Sequence, residues 1–161
     1  WSSDVCSSDL MTVDLVLQGI SHNVRDSMCI EIYDHTGLRY ANNNFESGAM
    51  TIQCRIAWPT QVIINLSNKH PDDTVIDQDG NIVANKALEI NALLINGFPI
   101  QYELMEQIFC CRHHHSNTIT HENFWGFNGE VSIDFDQPSP MRYMLALQNS
   151  FEINRTHWIE K

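Results

Sequence analysis

Three clusters in this 161-residue chain carry side chains suited to chemistry. The first is Cys110-Cys111-Arg112-His113-His114-His115, with His121 six residues beyond. Thiolates and imidazoles are the ligands zinc prefers. Adjacent cysteines do not easily bind one ion together, however, and no C-x2-C or H-x3-H pair is present. The competing reading is a strand end, Phe109 to Cys111, running into a polar, His-rich loop. A Cys–His hydrolase would also need an activated thiolate and an orienting third group. A Cys/His metal-dependent enzyme is therefore the third of three functional readings.

The second cluster is acidic: Asp72, Asp73, Asp77 and Asp79, with Asn81 beside them. Oxygen donors gathered on a turn suit calcium. The helix–loop–helix calcium pattern fails in detail. With Gly80 at its invariant glycine, Val75 falls on the first carboxylate and Lys86 on the bidentate Glu. A hairpin turn explains Asp79, Gly80 and Asn81 without an ion. Calcium stands as the candidate cofactor, with Asp72, Asp73, Asp77 and Asp79 as its candidate ligands.

The third cluster is Phe124-Trp125-Gly126-Phe127-Asn128-Gly129. Three rings flanked by glycines could form a platform on which a sugar stacks, with Asn128, Glu122 or Asn123 bonding its hydroxyls. The candidate ligand-binding residues are Phe124, Trp125, Phe127 and Asn128. The alternative is that Trp125 and Phe127 plug one end of a core, because aromatic rings dominate core burial. A large exposed apolar patch would need a partner. Glycosidase chemistry requires two carboxylates at a set separation, and Glu122, Glu130, Asp134 and Asp136 offer too many choices to single out a pair. Asp134 and Asp136 fall on the wet face of a strand. No nucleophile elbow or phosphate-binding glycine loop occurs, so no catalytic residue is assigned and the chain reads as non-enzymatic.

Composition narrows the partners. The formal net charge is −11. Residues 1–10 read back through the genetic code as a short-read sequencing adapter, so they are expected to be an artefactual leader before a single domain over 11–161. All nine Lys and Arg lie in 11–161 with eighteen of the twenty Asp and Glu, leaving a net charge of −9 there. Phosphate contacts need Lys and Arg, so neither nucleic acid nor an anionic membrane is expected as a partner. No run of about 18 apolar residues suggests a membrane span, and no signal peptide is visible. Cys29, Cys54, Cys110 and Cys111 lack framework spacing, which fits buried thiols in a reducing compartment.

The elements that must position these residues are strands. Met50, Ile52, Cys54, Ile56 and Trp58 alternate with Thr51, Gln53 and Arg55. The same period of two runs through Val13–Leu17, Met28–Ile32, Val62–Leu66 and Val131–Phe135. Asp79-Gly80 and Asn96-Gly97 each sit between apolar pairs and read as hairpin turns. Trp58-Pro59-Thr60 breaks two strands tightly. Tyr102–Cys111 reads as a strand or a helix. Pro140–Gln148 reads as a short helix with Ser139 as N-cap, or as a strand through Tyr143, Leu145 and Leu147. The fold class expected is all-β: a single antiparallel β-sandwich, jelly-roll-like, with at most one or two short helices.

Asp79-Gly80-Asn81-Ile82 leading into 87–97, together with FWGFNGEVSIDF over 124–135, resembles small β-sandwich proteins of environmental tailed phages. The resemblance is one of texture and carries no functional residue across. It implies a virion or accessory protein, located in the virion or host cytoplasm, that self-associates or binds other virion proteins. That non-enzymatic assembly role is the first reading. The second is a carbohydrate-binding module, calcium-assisted, with glycans as partners.

Overall fold

The alternating segments pair, without exception, in antiparallel ladders. The structure, a computed structural model, describes residues 11–159, with side chains through residue 152. The expected leader over 1–10 lies outside the described residues. The strands are β1 (Met11–His22), β2 (Cys29–Asp34), β3 (Gly37–Asn42), β4 (Gly48–Trp58), β5 (Thr60–Ser67), β6 (Thr74–Ile76), β7 (Ile82–Asn85), β8 (Ala87–Ile95), β9 (Phe98–Pro99), β10 (Cys110–His113), β11 (Ile119–Thr120), β12 (Phe124–Trp125) and β13 (Gly129–Phe135). Helices α1 (Tyr102–Ile108) and α2 (Pro140–Ile159) interrupt and follow them.

One sheet runs β12-β8-β1-β4, with β9 also on β8. The other runs β11-β10-β13-β5-β2-β3, and β6 and β7 form a two-stranded sheet. The dry faces meet between the two sheets. Val13, Leu15, Leu17, Ile52 and Ile56 of the first pack among Ile30, Val62, Ile64, Val131, Ile133 and Phe135 of the second, all buried. Each such side chain contributes roughly 1.5–3 kcal/mol on leaving water. The expected β-sandwich is thus the observed architecture.

Turn chemistry falls where the residues placed it. Asp79-Gly80 closes β6–β7 and Asn96-Gly97 closes β8–β9, with Gly80 at φ 87°, Asn96 at 51° and Gly97 at 80°. Pro59 follows a cis bond and turns the chain from the first sheet into the second. Gly129 is required for a different reason: a Cβ there would lie 2.1 Å from the Arg112 carbonyl oxygen.

Both ambiguous stretches resolve. Tyr102–Ile108 is helical and Cys110 starts a strand, so each reading held for part of the segment. Ser139 caps α2, its Oγ accepting the Arg142 N–H at 3.3 Å, and Pro140 is its first residue. The expectation of short helices needs correction, since α2 spans 20 residues. Tyr143, Met144, Leu147 and Phe151 recur at three- and four-residue spacing and pack against the core. That period outweighs the alternation of Tyr143, Leu145 and Leu147.

Candidate functional site

Strand β12 has only two residues, and its period of two separates them. Trp125 lies opposite Leu88 and Phe124 opposite Glu89. Trp125 points inward and is fully buried, edge-on to Phe109 at 5.2 Å between ring centroids. Its indole N–H donates to the Glu122 carbonyl at 3.0 Å. Phe127 is buried too, stacked on His113 at 3.9 Å. The platform expected from Trp125 and Phe127 is therefore corrected: both rings plug the core. Asn128 is also committed to the fold. Its Oδ1 accepts the Lys69 N–H at 2.8 Å and its Nδ2 donates to the Lys69 carbonyl at 2.7 Å. Of the four expected ligand-binding residues, Phe124 alone presents its side chain outward, at 37 % exposure.

The structure brings other residues to Phe124. Directly paired residues share a face in an antiparallel ladder, so Ile20, Glu89 and Phe124 lie on the outer side of the first sheet. His22 joins them from the end of β1, its ring centroid 5.8 Å from that of Phe124. His22 Nε2 and Glu89 Oε2 are hydrogen-bonded at 2.9 Å. Asn123 Nδ2 donates to the Ile90 carbonyl at 3.0 Å and to the Tyr102 hydroxyl at 2.8 Å. Tyr102 is half exposed. Two rings thus flank an amide, with an acid–imidazole pair alongside. Sequence reasoning missed His22, Glu89 and Tyr102, because only strand pairing, and for Tyr102 the packing of α1 beside Asn123, makes them neighbours. The alternation of Glu89 and Asn91 with buried Leu88 and Ile90 marked the wet face.

The acidic cluster is dispersed by other partners. Asp73 is 1 % exposed, and its Oδ2 lies 2.8 Å from Lys86 Nζ. Lys86 is equally buried and also binds Asp26 Oδ1 and, at 3.0 Å, the Asn68 carbonyl. Burial alone would depress the Lys86 ammonium, but hydrogen bonds from it to Asp26 and Asp73 hold its pKa above the usual lysine value. Arg25 approaches Asp73 Oδ1 at 3.3 Å and exposed Asp72 at 3.8 Å. Asp77 accepts the Asp79 and Asn81 N–H groups at 2.9 and 2.8 Å inside its own turn. Asp72, Asp73, Asp77 and Asp79 consequently do not assemble the six or more oxygen ligands calcium takes. The four residues expected to hold it do not fit the ion.

The Cys/His cluster fits zinc no better. Cys111 is buried, its thiol pushed up to about 11 chiefly by that burial, and it donates to the Glu122 carbonyl at 3.5 Å. His113 Nε2 bonds Thr120 Oγ1 and Glu122 Oε1 at 3.0 and 3.1 Å, while His121 Nδ1 turns to the Phe109 carbonyl. Among the described residues no group of three or more His, Cys, Asp or Glu side chains is placed to hold a metal ion. Nor, among them, is any helix long and apolar enough to cross a membrane.

No protein-family model matches the chain, and no curated protein does. Solved structures do. A vCBM60 in complex with galactobiose superposes with a TM-score of 0.50 at 10% identity, covering 75% of this chain and 97% of its own. A selenomethionine form of vCBM60, reported with a circular permutation linking two families of calcium-dependent carbohydrate-binding modules, gives a TM-score of 0.48 at 8% identity, covering 76% and 90%. At 10% identity, the likeness to the galactobiose complex shows a shared β-sandwich fold.

Proposed function

We propose that the chain is a non-catalytic carbohydrate-binding module that takes neutral glycans on the outer face of its first sheet. The observation that carries this reading is the strip formed by Phe124, Tyr102 and Asn123 beside the His22–Glu89 pair. Exposed rings offer apolar faces to a sugar's C–H groups, and the flanking amide, carboxylate and imidazole supply donors and acceptors for its hydroxyls. A fold shared with a glycan-binding structure is compatible with this reading. The displaced calcium ligands remove the metal-assisted version from Asp72, Asp73, Asp77 and Asp79.

Calorimetric titration with galactobiose and other neutral oligosaccharides tests the proposal. Binding to the wild type, weakened about tenfold or more in a folded Phe124→Ala variant, is the expected result. A folded Phe124→Ala protein that binds as before would overturn it, as would a wild type that binds none of the panel.

One observation favours the assembly reading instead. Val75, Ile76, Ile82 and Val83 of the β6–β7 hairpin are all exposed, and apolar groups so displayed suit a protein partner. Light scattering on residues 11–161 separates the two: a monomer keeps the module, and a closed oligomer restores assembly.

A further inference from the structure

A cleft of about 380 Å³ lies between α2, the end of α1 and the end of β13, lined in its polar part by Gln107, Asp134, Asp136, Gln137, Tyr143 and Ser150. That volume falls in the small-ligand range of roughly 300–1,000 Å³. Asp134 and Asp136 are both exposed there. Among the described residues no lysine, arginine or histidine lines the cleft, and neither carboxylate has an ion-pair partner among them. The nearest bond is a weak one, Gln137 Nε2 to Asp136 Oδ1 at 3.4 Å.

Tyr143 makes this more than two acids on a wet face. It is 5 % exposed, held edge-on against Trp58 and Phe135 at 5.9 and 5.0 Å. Its hydroxyl has no hydrogen-bond partner among the described residues, yet its residue lines the cleft. Burial, then the charges of Asp136 and Asp134, push its phenol well above the usual tyrosine value, so it stays protonated. The shelf beside it is fixed, because the Gln137 carbonyl accepts the Trp58 indole N–H at 2.9 Å. The ring is packed and the hydroxyl at its end borders the cleft, where it can bond a ligand atom or a water.

We infer that this cleft is a second ligand site, and that it takes the protonated primary amine of a small hydroxylated molecule, the chemistry of an amino sugar. Ionised carboxylates only accept hydrogen bonds, so the ligand must bring donors and positive charge. An ammonium has three N–H donors, and Asp134, Asp136 and the Tyr143 oxygen are three acceptors. The phenol O–H, the two glutamines and Ser150 remain for hydroxyls.

Amide chemical-shift mapping at mildly acidic pH, with glucosamine, glucose and N-acetylglucosamine as probes, tests the inference. Glucosamine alone should move resonances of 134–137 and 143–150, and added salt should weaken it. Tyr143→Phe keeps the packed ring and removes only the hydroxyl. That variant and Asp134→Asn should each lower glucosamine affinity about tenfold. Phe124→Ala should bind glucosamine as the wild type does, which keeps this site separate from the glycan face. The inference is overturned if glucosamine moves nothing in the cleft, if glucose or N-acetylglucosamine moves it equally, or if Tyr143→Phe binds unchanged.

Discussion

The two ends of β13 handle charge in opposite ways. Beyond Gly129, the loops gather Lys86, Asp26, Asp73 and Arg25 into one network whose centre is closed to solvent. At the Phe135 end, Asp134 and Asp136 look into a cleft that has no cation on its walls among the described residues. The residue types are similar, but the burial differs. A carboxylate sealed from water must be paired, and once paired it belongs to the fold. A carboxylate left wet costs little and stays free to meet a ligand. The acidic cluster that looked most like an ion site is of the first kind, and the pair that looked like an ordinary solvated face is of the second.

The sharpest way to break this comparison is to empty the closed end. Lys86→Met leaves Asp73 buried beside an apolar stem and should cost about 3–5 kcal/mol in urea unfolding. An unchanged midpoint would mean that the network is not what holds the loops.

Acid probes a sealed carboxylate at the opposite end. Burial alone would raise Asp34, but the Ala57 and Thr36 N–H groups, the Thr36 hydroxyl and Arg39 hold it down at about 2, against 3.8 when unfolded. A depressed carboxylate stabilises the fold above its unfolded pKa, and the gain is lost as pH falls through the folded one. Stability of about 2 kcal/mol should therefore drain away between pH 4 and pH 2. The same titration on Asp34→Ala should show a flatter curve through that window.

Asp134→Asn with Asp136→Asn should shift stability by less than about 0.5 kcal/mol, since neither side chain is sealed. A larger loss in the same urea assay would place the pair in the fold after all. Smallest of all should be the response to metal. Excess calcium or a chelator is expected to leave the thermal midpoint where it was, because Lys86 and the turn at Asp77 already use the oxygens of Asp73 and Asp77. A clear rise with calcium would reopen the ion reading.

The β-sandwich was legible because period-two alternation and Asx-Gly turns are local signals, written within ten residues of each other. Met50 to Trp58 reads as a strand without knowing its partners. Helix α2 was half legible: Ser139 and Pro140 marked its start, but Tyr143, Leu145 and Leu147 imitated a strand until Met144 and Phe151 were seen against the core. The candidate site was less legible. Alternation within Phe124-Trp125 does separate an outer ring from an inner one, yet which ring faces out depends on pairing with Glu89. His22, Glu89 and Tyr102 come from segments far apart in the chain. The Asp73–Lys86 pair has the same origin, a non-local contact that turned a calcium-like motif into a salt bridge.

Asn128 and Gly129 carry a consequence for how the protein ages. Asparagine followed by glycine is the dipeptide most prone to losing its side-chain amide, since the unhindered glycine nitrogen can close on it. Here neither residue is readily exchanged: the amide brackets both polar groups of the Lys69 backbone, and Gly129 has no room for a Cβ. Conversion to aspartate would set a carboxylate against the Lys69 carbonyl in place of an N–H. In the folded chain both bonds hold the amide still, while the unfolded chain leaves it free to react. Chemical decay at this one position should then act as a clock that runs only while the protein is open.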